Sequence, residues 1–269
     1  MTFPYSIAPL GRLGTFCFTL SFAVLLASCA TQLKPREDNT PPSLAFQNRA
    51  LNPSNGGLLV GADKLLPGDI ILTADNGLKS SGIRLVTLSP VSHAALVTAD
   101  NMVVEAVGEG IRRRTVAQLV AEESTVVVFR HPKVTADHML KMGVFFDKHL
   151  GRKYNYVGVI LQAPFTLERQ VCELPLVPSL VRDFCIQGVA AVQLGMGRND
   201  QFFCSQFVLE AYRTAGLPLT DADPRLINPG DLLHMREGDV PSIRIHQALQ
   251  YVGHLKSPPP PVLALNQVD

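Results

Sequence analysis

Three residues, far apart in the chain, have the types that thiol chemistry requires. Cys204 lies in Phe202-Phe203-Cys204-Ser205-Gln206-Phe207-Val208. From Phe203 the apolar positions run Phe203, Phe207, Val208, Ala211, Tyr212 and Ala215, a helical period that Gly216 closes. The period predicts a helix with the thiol in its first turn, beside unpaired backbone N–H groups and the positive end of the helix dipole. Both favour the thiolate, the nucleophilic form. A cysteine with no partner group is otherwise a small buried hydrophobe.

Two upstream runs supply such partners. Ser92-His93-Ala94-Ala95-Leu96-Val97 and Met102-Val103-Val104-Glu105-Ala106-Val107 are short and rich in β-branched residues, and Thr98 to Asn101 between them has turn chemistry. Together they predict a β-hairpin. A three-residue loop of Ala99, Asp100 and Asn101 makes His93 and Glu105 diagonal neighbours on one face; a two-residue loop puts them on opposite faces. Glu105 is the odd residue in an apolar strand, and a carboxylate there needs a partner, which an imidazolium would be. The plainer readings are a half-buried strand histidine for His93 and an edge-strand charge that deters aggregation for Glu105. Taken jointly the residues read as a catalytic set: Cys204 the nucleophile, His93 the base, Glu105 its orienter.

The order His, Glu, Cys, with Pro67-Gly68-Asp69-Ile70-Ile71-Leu72 before the histidine and Phe203-Cys204-Ser205 late in the chain, resembles the circularly permuted NlpC-type papain-like enzymes. More narrowly it resembles the YaeF-type lipoprotein peptidases. Ser89-Pro90-Val91-Ser92-His93, Tyr154-Asn155-Tyr156 and Tyr251-Val252-Gly253-His254-Leu255-Lys256 are further matching pieces, so the likeness covers roughly Leu65 to Lys256. It implies a cysteine hydrolase or peptidase with Cys204 as nucleophile, His93 as base and Glu105 as third member. The third position varies among permuted relatives.

At the start of the chain Arg12 precedes an apolar run from Phe16 to Leu26, which ends in Leu26-Ala27-Ser28-Cys29. That run is too short for a membrane span and predicts a signal peptide over residues 1–28. The Leu-Ala-Ser-Cys ending resembles a bacterial lipobox, which implies cleavage before Cys29 and lipidation of that residue; the other reading is an ordinary signal peptide with an incidental cysteine. With Ala30 in second place, analogy with lipoprotein sorting implies the outer membrane, facing the periplasm. Residues 29–63 are polar and proline-bearing and predict a tether, residues 64–256 the hydrolase domain, and residues 257–269, with Pro258 to Pro261, an extended tail.

Without residues 1–28 the chain loses one basic residue, Arg12, and no acidic one, which leaves 23 Lys+Arg against 23 Asp+Glu. No basic stripe argues for nucleic acid, and Arg112-Arg113-Arg114 reads as a solvated loop before the next helix. Of the five cysteines, Cys17 leaves with the signal peptide and Cys29 takes lipid. Cys172 and Cys185 remain as a pair for a disulfide in an oxidising compartment, worth about 3 kcal/mol on a chain-entropy model. A metal pair is the alternative, but neither has a His or Cys at finger spacing. Cys204 is left over. No metal site and no cofactor is assigned.

The elements that must position these groups follow an α+β pattern, a small antiparallel sheet packed against helices. The expected order is a strand at Ile70 to Thr73, a helix at Leu78 to Leu88, the hairpin, a helix near Thr115 to Glu123 and a strand from Thr125 to Arg130. A helix from the Thr135 cap to Leu150 follows, ended by Gly151. An irregular insertion from Phe165 to Asp200 contains a helical candidate near Gly188 to Leu194. The Cys204 helix, a turn at Pro229-Gly230-Asp231 and a last strand around Gln250 to Val252 complete the order. This agrees with a permuted papain-like core. The expected function is a lipid-anchored periplasmic thiol hydrolase acting on an amide bond, with peptidoglycan stem peptides or small peptides as substrates. The alternatives are a lipid-directed acyltransferase or thioesterase and a non-catalytic binding lipoprotein. Expected partners are the membrane, through the anchor, and a peptide or cell-wall substrate; oligomeric state is not fixed.

Overall fold

The computed structural model describes residues 31–34, 43–46, 58–87, 89–155, 165–173, 177, 181, 184–186, 188, 202–236 and 243–257. Cys29, the apolar run before it, the proline tail and nearly all of the Gly188–Leu194 candidate lie outside them. Within the expected tether, β1 (Thr31–Lys34) and β2 (Ser43–Phe46) pair antiparallel in a two-stranded sheet of their own. Leu58 to Val60, also assigned to the tether, run along the edge of the main sheet: the Val60 N–H donates to the His254 carbonyl and the His254 N–H to that of Leu58.

The main sheet has six antiparallel strands in the order β6-β5-β4-β3-β7-β8. They are β3 (Ile70–Ala74), β4 (His93–Val97), β5 (Met102–Val107), β6 (Gly110–Thr115), β7 (Thr125–Arg130) and β8 (Gln250–Lys256). The helices are α1 (Leu78–Thr87), α2 (Val116–Glu122), α3 (Ala136–His149), α4 (Cys204–Thr214) and α5 (Pro229–His234), and residues 165–172 are helical as well. The chain is α+β, as its pattern of periods implies.

Each strand of the sheet's interior is apolar on both faces, so the sheet separates two cores. Ile70, Leu72, Ala94, Leu96, Val104 and Phe129 pack with α3 and α4 on one side, while Ile71, Ala95, Val97, Val103 and Val128 pack under Val116 and Leu119 of α2 on the other. Burial from both sides is what a continuous β-branched run specifies. Thr135 caps α3 in reciprocal hydrogen bonds with His138, and Met139, Met142, Phe145 and Phe146 turn inward from it. The Pro67-Gly68-Asp69 turn enters β3 with Gly68 at φ +88°, a conformation that costs glycine nothing. Asp69 is held there by Arg130, whose Nε and Nη2 each donate at 2.7 Å.

Three expectations need correction. Arg112-Arg113-Arg114 is not a solvated loop but the middle of β6, and Arg114 is buried. The last strand runs on to Lys256 because it pairs with β7 through two bulges. The insertion begins as helix, not as irregular chain, over 165–172.

Candidate active site

The loop of the β4–β5 hairpin is three residues long. Thr98 donates its N–H to the Met102 carbonyl, and Asn101 closes the turn at φ 59°, the left-handed position that three-residue loops place last and that asparagine tolerates. The resulting register pairs Ala95 with Glu105. His93 therefore lies diagonal to Glu105 on the same face, and its Nε2 is 2.8 Å from Glu105 Oε2.

Glu105 is fully buried and has more partners than the imidazole. Arg112 stands directly opposite it on β6 and donates from Nε to Oε1 at 2.9 Å. Arg114, diagonal to it, donates from Nη2 to Oε2 at 3.0 Å and brings Nε within 2.8 Å of Oε1. Arg114 also pairs with Glu122 of α2. These two arginines are the site residues that the sequence reading missed. A signal was present: Gly108-Glu109-Gly110 after β5 is turn chemistry, and a second hairpin there would bring the basic run against the lone carboxylate. Burial alone would raise the Glu105 pKa; the His93 hydrogen bond and charge, followed by the arginines, reverse this and hold it down at about 2. The carboxylate is ionised at any physiological pH.

Cys204 approaches from the other layer. It is the first residue of α4, buried, and the only free cysteine among the described residues. The first backbone bond at this end runs from the Phe207 N–H to the Phe203 carbonyl, so the N–H groups of Cys204, Ser205 and Gln206 have no acceptor within the helix. Three contacts fix α4 in place. Ser205 Oγ donates to the Ile227 carbonyl at 2.7 Å and Tyr212 Oη to the Gly68 carbonyl at 2.6 Å, while the Asn155 N–H donates to the Phe202 carbonyl just ahead of the thiol. The Pro-Gly-Asp and Tyr-Asn motifs thus hold the nucleophile's helix at its two ends.

Thiol and imidazole meet where β4 begins. Burial would lower the His93 pKa; hydrogen bonds to the Cys204 side chain and to Glu105, with the charges of both, outweigh it and raise it to about 10. Because Glu105 engages Nε2, Nδ1 is the ring nitrogen left for the thiol. The structure thus brings together all three residues singled out for chemistry. Cys172 and Cys185 are joined in a disulfide, with their Cα atoms 6.0 Å apart.

A helix-borne thiol, a strand imidazole and a buried carboxylate are thus brought together on an α+β frame. No family model matches the sequence. Over 200 residues the chain is 38% identical to "Probable lipoprotein peptidase YaeF" of Escherichia coli strain K12, covering 73% of this chain and 73% of that one. The chain belongs to that family. Among solved structures, metalloprotein yiiX from Escherichia coli O157:H7 aligns with a TM-score of 0.43 and 20% identity over 73% of this chain and 99% of that one, a likeness too slight to support an argument.

Proposed function

We propose that the protein is a lipid-anchored thiol hydrolase of the bacterial envelope that cleaves an amide bond, with Cys204 as nucleophile, His93 as acid and base, and Glu105 as its orienter. The observation that carries this reading is the position of His93, bonded to the Glu105 carboxylate on one side and to the Cys204 thiol on the other. The name of the E. coli relative supports a peptidase, and the Leu26-Ala27-Ser28-Cys29 signal supports the anchor.

The chemistry follows from the geometry. Cys204 and His93 rest as a thiolate–imidazolium pair, the thiol proton already on the ring, and Glu105 holds the imidazolium. The sulfur adds to the substrate carbonyl, and the oxyanion faces the free N–H groups at the start of α4. When the C–N bond breaks, the imidazolium gives its proton to the leaving amine. The neutral imidazole then takes a proton from water, whose oxygen adds to the thioester carbonyl; departure of the sulfur releases the acid and restores the thiolate–imidazolium pair. The compartment favours peptidoglycan stem peptides or small peptides as substrates. Exposed apolar side chains on α1, next to the site, favour acyl transfer or thioester cleavage on lipid substrates as a second reading.

The test is labelling of Cys204 with an iodoacetamide probe across pH. Rapid labelling below pH 7 that disappears in His93→Ala is the expected result. Labelling that His93→Ala leaves unchanged would sink the hydrolase reading and favour a binding lipoprotein.

A further inference from the structure

We propose that α1 and the neighbouring helical residues 165–172 form a face that rests on the phospholipid surface, an inference that builds on the lipid-anchor reading above. Helices in globular proteins turn their apolar stripe to the core, yet α1 buries only Ser80. Leu78 and Leu85, seven residues apart and so on one stripe, are 94% and 75% exposed. A Cβ added at Gly82 between them would meet nothing within 4 Å.

The adjacent helical segment also turns apolar side chains outward, although Phe165 at its start is buried. Leu167 and Val171 lie outward while Arg169, Cys172 and Glu173 are buried. Gln170 ties this segment to α1, its Nε2 donating to the Val86 carbonyl at 3.2 Å. The Cys172–Cys185 disulfide brings in Phe184, which is 80% exposed, with Val181 nearby in sequence and also exposed. Exposed single hydrophobics are ordinary. Six of them on three segments joined by a hydrogen bond and a disulfide form the kind of patch that marks an interface.

Two observations select lipid as the occupant. Cys29 lies 29 residues before Leu58, where the main sheet begins; as a flexible chain that length has a root-mean-square span of about 30 Å, so the domain spends its time close to the bilayer that the anchor enters. The charges also match an anionic surface: Lys79 and Arg84 flank the α1 stripe, and among the described residues of the two helical segments the exposed carboxylate is Glu168, beside Leu167. Cations beside an apolar stripe are the pattern of in-plane membrane helices. The contact would set the site's direction, because Ser80 Oγ, on the inner side of α1, is 2.6 Å from the Oγ of Ser92, the residue before His93. The candidate site would then face substrates displayed at the bilayer surface.

The test uses full-length lipidated protein in vesicles of phosphatidylethanolamine and phosphatidylglycerol, in a Cys204→Ser background. Leu85→Cys and Val144→Cys are each labelled with an environment-sensitive fluorophore and quenched by lipids with brominated tails. Val144 is the control, since it is also exposed (71%) but lies on α3. Quenching several-fold stronger at 85 than at 144, and reduced when Leu167→Glu and Val171→Glu are added, is expected. Equal quenching, or stronger quenching at 144, would overturn the proposal. Mass analysis of the N-terminal peptide separates the two readings. Acylated protein that sediments with vesicles but leaves position 85 unquenched would overturn the contact face alone. Unacylated protein that stays in solution would overturn the anchor and this face together.

Discussion

At the scale of single residues the site is an exercise in keeping a buried carboxylate charged. Glu105 has no exposure, and three cations, His93, Arg112 and Arg114, compensate it from one face of the sheet. Removing one of them leaves charge uncompensated in the interior, so Arg114→Met should lower unfolding free energy by on the order of 3 kcal/mol. Chemical denaturation would measure it, and a loss within error would mean that Arg112 alone suffices. The His93 pKa, raised to about 10, makes a second expectation. The folded value lies above the ordinary 6.5, so the stabilisation is complete below pH 6.5 and is lost as pH rises through 10. By NMR the His93 ring should remain an imidazolium through neutral pH, and Cys204→Ala and Glu105→Gln should each move its midpoint down. A midpoint near 6.5 in the unaltered protein would refute the coupling. Glu105→Gln should slow turnover without abolishing it, because an amide oxygen still accepts from the imidazole. His93, Glu105 and Cys204 were legible in sequence because each is chemically out of place in its run. Arg112 and Arg114 were not, because a basic triplet has the composition of a solvated loop and only a strand pairing reveals that alternate members turn inward.

At the scale of elements, register carries the site. Strand parity and turn chemistry were enough to derive the β4–β5 hairpin, conditional on loop length, and the three-residue loop is the one that puts His93 and Glu105 on a shared face. Asn101 holds that loop at positive φ. Asn101→Val should therefore cost about 1–2 kcal/mol, and Asn101→Gly should be tolerated; a thermal melt distinguishes them, and equal melting temperatures would show that the loop does not constrain the hairpin. β6 escaped detection for a different reason. Its residues Gly110 to Thr115 include three arginines, and nothing local in such a run says strand. Pairing with β5 creates it, and pairing is a long-range fact. α4 was the easiest element to anticipate, since six apolar positions at helical spacing and a closing Gly216 define its length. The same signal misleads at α1, which is a helix as expected but turns Leu78 and Leu85 outward, while Ser80 is buried and Ile83 and Val86 are half-buried on its inner side.

For the whole molecule, the reading joins an oxidising compartment, a lipid anchor and a thiol that must stay reduced. Cys172 and Cys185 are committed to each other while Cys204 sits apart, buried at the start of α4. The chain thus places its paired cysteines in the insertion and its free one at the site; parity together with the shared stretch of Cys172 and Cys185 was enough to separate them. The anchor carries the compartment argument, and it has a direct test. The apolar run from Phe16 to Leu26 is eleven residues, about half the length that spans a bilayer, so on the proposed reading attachment comes from acyl chains on Cys29 rather than from the signal sequence. Each buried CH₂ contributes about 0.8 kcal/mol, and several chains on one residue suffice for stable attachment. Cys29→Ala should abolish metabolic labelling with palmitate and make the protein extractable from membranes at high pH. Cys204→Ala should leave both unchanged while removing the thiol chemistry. Palmitate labelling that persists in Cys29→Ala would put the lipid elsewhere and remove the basis for a tethered enzyme; labelling lost with extraction unchanged would mean that the folded domain itself holds the membrane.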